Sequence, residues 1–267
     1  MNGKKRRMAP AVMIVIGLAV MLAPAALAQE EWKFGIGTGM FALNIDGDTG
    51  FDTVLGPVDL ETDLDTSEIQ DLLDSAVGLG GFASKGKWLL RFSASQMKLG
   101  GSVSGMGPMG SPVAATTSFT AQGAEFAAHY RFALTGKHAW SVIGGVRYTS
   151  HEYDFLLSID DMPPAAPTML TRNIDQHWTD VVIGIAHATK LGEKWSWSTR
   201  LDVGFGGSEG SSVFNTGFGW QVGKSWLLNF YAQNNMVDFE NDNRGDPDWY
   251  LYDANEFGVG VGVNYIF

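Results

Sequence analysis

Ser150, His151, Glu152 and Asp154 fall within five residues, and Asp175 and His177 follow further along the chain. A hydroxyl nucleophile, an imidazole base and an orienting carboxylate are the groups of an acyl-transfer hydrolase, provided the base reaches both partners. No catalytic motif surrounds either histidine, so no enzyme is expected. A second concentration of chemistry is acidic. Between Asn44 and Asp74 stand ten carboxylates (Asp46, Asp48, Asp52, Asp59, Glu61, Asp63, Asp65, Glu68, Asp71, Asp74) and no Lys or Arg. Asp46-Gly47-Asp48-Thr49-Gly50 sets two hard oxygen donors near a tight turn, as a calcium loop begins, but the later bidentate Glu is missing. The stretch otherwise reads as a solvated, self-repelling surface loop. Within it, Ser67 and Gln70 spell a capping box and predict a short helix near 67–73. Arg244-Gly245-Asp246 has the form of an adhesion tripeptide, a pattern that chance supplies readily. There are no cysteines, which excludes disulfides and thiolate metal sites, and nothing implies a cofactor.

The elements that must position these groups begin after a leader. Lys4, Lys5, Arg6 and Arg7 precede an apolar run, and Ala26-Leu27-Ala28 has the small residues of a signal-peptidase site. Cleavage after Ala28 is expected, leaving 29–267 as one domain. Residues 1–28 hold four of the 18 basic residues and none of the 29 acidic ones. The remainder is therefore strongly acidic, which argues against a nucleic-acid partner. No later run approaches the roughly 20 apolar residues of a spanning helix. A membrane protein of this composition would have to be a closed barrel.

A repeated turn supplies the strand count. Gly86-Lys87-Trp88, Gly136-Lys137-His138-Ala139-Trp140, Gly192-Glu193-Lys194-Trp195 and Gly223-Lys224-Ser225-Trp226 each open a stretch of period-two alternation, as does Trp32-Lys33. Longer polar connections, near 44–73, 100–114, 159–170, 206–211 and 238–249, alternate with these turns. The pattern predicts an all-β, antiparallel up-and-down barrel of about ten strands, with eight as the alternative. Short turns lie on the periplasmic side and long loops outside. Trp32, Trp88, Trp140, Trp195 and Trp226 then form a girdle at one lipid–water boundary. Phe257, Val259, Val261, Val263, Tyr265 and Phe267 share a lipid face, and Glu256, Gly258, Gly260, Gly262 and Asn264 share the inner one. Extended to all strands, the facing puts Lys33, Arg91, Glu125, Arg131, Arg147, Asp180, Arg200, Asp202 and Glu256 in the lumen.

The ending Val261-x-Val263-x-Tyr265-x-Phe267 resembles the terminal signal of Gram-negative outer-membrane barrels, which their assembly machinery recognises. Further pieces resemble a largely uncharacterised family of such barrels: Asp71-Leu72-Leu73-Asp74, Lys85-Gly86-Lys87-Trp88-Leu89-Leu90, Gly145-Val146-Arg147-Tyr148, Trp178-x-Asp180 with Gly184, and Lys194-Trp195-Ser196 with Asp202-Val203-Gly204. Val181 and Ala186 stand where the family often has Pro and Arg. The resemblance implies an outer-membrane location, with membrane lipids, lipopolysaccharide and the assembly machinery as partners, and no defined activity. Ten strands lie near the narrow limit at which side chains fill the bore. A structural or surface-interaction barrel with a charged, largely filled lumen is the first expectation. A narrow channel for ions or very small solutes is the second, and an outer-rim hydrolase the third.

Overall fold

The computed structural model describes residues 31–267 apart from 54–55, 107–111, 160–168, 242–243 and 247. The expected leader, 1–28, lies outside the described residues. Eleven strands form one antiparallel sheet: β1 (Lys33–Thr53), β2 (Gly56–Leu64), β3 (Leu73–Lys85), β4 (Trp88–Met106), β5 (Pro112–Thr135), β6 (His138–Ile159), β7 (Met169–Lys190), β8 (Trp195–Gly206), β9 (Gly210–Val222), β10 (Trp226–Asn241) and β11 (Tyr250–Ile266). The order runs β11 to β3 in sequence, then β1 and β2, and a β1–β11 ladder closes the ring. Ten strands build the closed cylinder, and β2 is an annex paired with the upper part of β1.

Local chemistry explains the turns. Gly86, Gly136 and Gly223 take φ of 55°, 58° and 68° at the three tightest connections, a conformation that costs glycine little. Alternation explains the walls. Val181, Ile183 and Ile185 of β7, Leu201, Val203 and Phe205 of β8, and Phe257, Val259 and Val261 of β11 all point outward and are exposed. A continuous apolar exterior with backbone groups paired around a closed ring is the form a strand protein must take in lipid.

The first long connection differs from the expected solvated loop. β1 continues through Asp46 and Asp48 to Thr53 and returns as β2, so the tight calcium-type turn is replaced by extended strand. Backbone pairing along this hairpin outweighs the repulsion of its carboxylates. The helix is present as α1 (Thr66–Leu72), but its cap is Asp65 with Glu68 rather than Ser67 with Gln70. The Asp65 carboxylate accepts from the Ser67 and Glu68 amides at 2.8 and 2.9 Å, and the Glu68 side chain accepts from the Asp65 amide. Ser67 instead adds its hydroxyl to Asp65 at 2.7 Å. These bonds hold the Asp65 carboxyl below its ordinary pKa, the Ser67 hydroxyl contributing most. The cap therefore stabilises α1 above pH 4 or so and is lost as pH falls through that lowered value. Amide exchange in α1 is expected to accelerate in Asp65→Ala at neutral pH, and in the wild type only on strong acidification. Equal exchange in the two at pH 7 would contradict this.

Helix α1 closes a gap in the wall. β1 pairs with β3 only from Lys33 to Gly37 and with β2 only from Ile45. Between those ladders side chains suture the edge: Thr38 Oγ1 donates to the Gly78 carbonyl at 2.9 Å. Thr66 donates its amide to Asn44 Oδ1 at 3.0 Å and its hydroxyl to the Leu43 carbonyl at 2.9 Å. Ile69 then drops from α1 into the core, fully buried.

Candidate functional site

The inward faces of the strands define the candidate site, the bore itself. At the short-turn end Phe82, Leu89, Ile143 and Leu227 are buried beside Asn229 and Asn264. Arg131 lies in this layer, donating to the Gly86 carbonyl at 2.9 Å and to Ser84 Oγ at 3.0 Å. It ties a turn to the wall. Lys33 opens the inner face of β1 at the rim.

Above this layer four charges close a ring. Arg147 Nη2 meets Glu125 Oε2 at 2.8 Å and Asp202 Oδ1 at 2.7 Å, while Arg200 Nη1 meets Glu125 Oε1 at 2.7 Å and its Nε meets Asp202 Oδ2 at 2.6 Å. Two guanidiniums and two carboxylates alternate, so the ring is neutral and every charge faces two of opposite sign. Desolvated ions persist only with such pairing. Gly184 makes it possible: a Cβ there would lie 2.5 Å from that of Asp202.

Arg91 shares with Glu125, Arg147 and Arg200 the lining of a cavity of about 230 Å³ above the ring. Its far wall includes Leu43, Met97, His151, Trp178 and Tyr252. Glu256 accepts from Tyr252 Oη at 2.7 Å and from Asn235 Nδ2 at 2.8 Å on one side of it. Asp180 also lines this cavity. It accepts from the Gly207 and Ser208 amides and from the Ser208 and Ser211 hydroxyls, at 2.7–3.1 Å, and so pins the short β8–β9 hairpin. Glu125, Arg147, Arg200 and Asp202 are joined by direct ion pairs, while Arg131, Asp180 and Glu256 are held by the hydrogen bonds given above.

Past the cavity the bore is aromatic. Phe41, Leu43, Ile45, Ile69, Trp178, Tyr231, Phe239, Tyr250 and Tyr252 belong to one buried cluster. Above the short β8 and β9, side chains of β7 and β10 come together, and Trp178 stacks on Phe239 at 4.1 Å. Gly260 leaves room for Tyr231, which a Cβ would approach to 2.4 Å.

The expected rim histidines do not converge. His151 points inward, buried, with its Nδ1 2.9 Å from the Tyr250 hydroxyl. Ser150 pairs with His177 on the opposite face of the wall, where His177 is exposed. Period two decides this: adjacent residues cannot share a face. Asp154 accepts from Asn173 at 2.8 Å, and Glu152 lies opposite Asp175, both exposed. Sequence reasoning did not anticipate the inward aromatic cluster, since Ile45, Ile69 and Phe239 fall in the stretches 44–73 and 238–249 that were expected to be loops.

Asp46 and Asp48 are exposed on β1, opposite Asp63 and Glu61 of β2, with Asp253 of β11 opposite Asp48 and Asp238 of β10 opposite Asp253. Among the described residues, no group of three or more His, Cys, Asp or Glu side chains is arranged to hold a metal ion. Arg244 of the tripeptide is engaged by Asp59 and lies over the Trp249 ring.

The five girdle tryptophans are all exposed at the short-turn end, each beside another aromatic ring: Trp32 with Phe34, Trp88 with Tyr130, Trp140 with His187, Trp195 with Trp220, and Trp226 with Tyr265. On β11, Val261 and Tyr265 are exposed, as is Phe267 just after it, while Val263, half-buried, pairs with Thr38 and Leu228.

No family model matches the chain, and no curated protein does. Among solved structures it is similar to the outer membrane protease OmpT from Escherichia coli, at 9% identity and a TM-score of 0.52, over 89% of this chain and 97% of that one. It is also similar to the translocator domain of the autotransporter NalP from Neisseria meningitidis, at 9% identity and a TM-score of 0.47, over 88% of each. The likeness to the protease is one of fold. The chain has the closed antiparallel architecture of Gram-negative outer-membrane β-barrels.

Proposed function

We propose that this chain is an integral outer-membrane protein whose interior is a packed plug, with a structural or surface-interaction role carried by its acidic outer hairpins. One observation carries this reading. Three successive layers, one apolar, one ionic and one aromatic, occupy the bore from the short-turn end to the outer end. A conducting path needs a continuous wet lumen. The cavity of about 230 Å³ favours the second reading, a narrow channel, but buried side chains bound it on both sides. A rim hydrolase has less support, since His151 hydrogen-bonds a buried tyrosine, Tyr250, while Ser150 lies on the other face of the wall. Lipids and lipopolysaccharide fit the apolar exterior as partners, and the outward residues of β11 fit the assembly machinery.

The test is planar-bilayer conductance of protein purified from the outer-membrane fraction. No single-channel steps are expected over a range of voltage and salt. Reproducible steps would replace the plug with the channel.

A further inference from the structure

Of the eight lysines after residue 28, seven gather at the short-turn end. Lys33 starts β1, Lys85 and Lys87 flank the β3–β4 turn, Lys137 sits in the β5–β6 turn, Lys190 and Lys194 bracket the β7–β8 turn, and Lys224 lies in the β9–β10 turn. Among the described residues only Glu31 and Glu193 oppose them there. The protein as a whole is acidic, so this end is a local inversion of its charge. Each vertex of the rim combines at least one ammonium with one exposed tryptophan.

Two of the ammoniums lie over aromatic rings. Lys85 Nζ lies 6.0 Å from the centre of the Trp32 ring, and Lys87 Nζ lies 5.7 Å from that of Tyr130. Both rings belong to the outer wall, so these charges sit against the lipid-facing side. Lysine stems cover apolar surface in this way while the head stays at the interface. An interfacial ammonium attracts anionic headgroups, worth about fivefold in affinity for each one engaged.

We propose that this basic, aromatic rim binds the headgroups of anionic glycerophospholipids in the periplasmic leaflet. A phosphate would meet ammoniums from one turn while its acyl chains lie along the girdle. The carboxylates on β1, β2, β10 and β11 at the other end disfavour the same lipids, so the two ends differ in lipid preference. The proposal rests on the membrane reading above, and the two fail separately: a chain that does not insert into vesicles defeats both, whereas an inserted barrel without lipid preference defeats only this one.

The experiment places the folded chain in mixed micelles with equal amounts of phosphatidylglycerol and phosphatidylcholine of matched chains, and reads retained lipid by native mass spectrometry. Phosphatidylglycerol is expected to be enriched about fivefold. The enrichment should fall toward parity when Lys87→Gln, Lys137→Gln, Lys194→Gln and Lys224→Gln are combined, and stay unchanged in Lys98→Gln. Parity in the wild type, or full enrichment in the combined variant, would overturn the proposal. If the combined variant does not fold, wild-type enrichment must still weaken in high salt, and its persistence there would be equally fatal. Lysine-dependent cosedimentation with purified cell-wall sacculi would also overturn it, in favour of the wall polymer.

Discussion

Asp202→Asn is expected to lower the unfolding free energy by about 3–5 kcal/mol, among the largest losses from any single change in this chain. The Asp202 side chain is fully buried and accepts from both arginines of the ring. Asparagine has nearly the same shape, so packing changes little. What changes is charge: two buried guanidiniums are left facing one carboxylate, and an amide NH2 is turned toward donors. Desolvation of the arginines is then uncompensated, the circumstance in which breaking a buried pair costs most. Urea unfolding of the lipid-embedded barrel, followed by tryptophan fluorescence, measures the loss. The double variant Asp202→Asn with Arg200→Gln restores neutrality, so its cost should fall well below the sum of the two single losses. A single-variant loss under about 1 kcal/mol would mean that the ring is hydrated and contributes little.

Trp178→Ala comes second, with a loss of about 3–5 kcal/mol. Trp178 is nearly fully buried, stacks on Phe239 at 4.1 Å and meets His151 edge-on at 5.0 Å. It spans the top of the short β8–β9 hairpin, where no strand intervenes between β7 and β10. Its removal opens a cavity in the aromatic layer alone. The ionic ring and the apolar layer beneath it stay in place, so conductance should remain absent while stability falls. Conducting steps in this variant would show that the aromatic layer by itself seals the bore, contrary to a plug of three independent layers.

Much of the architecture was legible in the chain because period two is a local property. Phe257 to Phe267 against Glu256 to Asn264 declares which face meets lipid, and one such strand orients its neighbours through the ladder. The four Gly/Lys turns with their tryptophans did the same for strand number, and three of them advertise a positive φ with glycine. The same alternation sets which charges are expected to face inward. It could not say which would meet, because Glu125, Arg147 and Arg200 come from three strands. The distance between their tips depends on barrel curvature and on Gly184 making room.

The outer half was misread for a related reason. A carboxylate-rich stretch looks like a loop when charge is weighed locally, yet β1 and β2 pair through it because backbone hydrogen bonds outweigh exposed like-charge contacts. His151 illustrates the remainder. Its neighbours in sequence are catalytic types, but its neighbours in space are Tyr250, Tyr252, Trp178 and Phe119. Ser150 and His177 on one side and His151 on the other are thus divided between the two faces of one wall. By itself the sequence determined an antiparallel strand barrel and the alternation of its strands, which follow from short-range pattern. The tertiary structure alone decided how the bore is filled, because only closure of the ring brings side chains from opposite walls together.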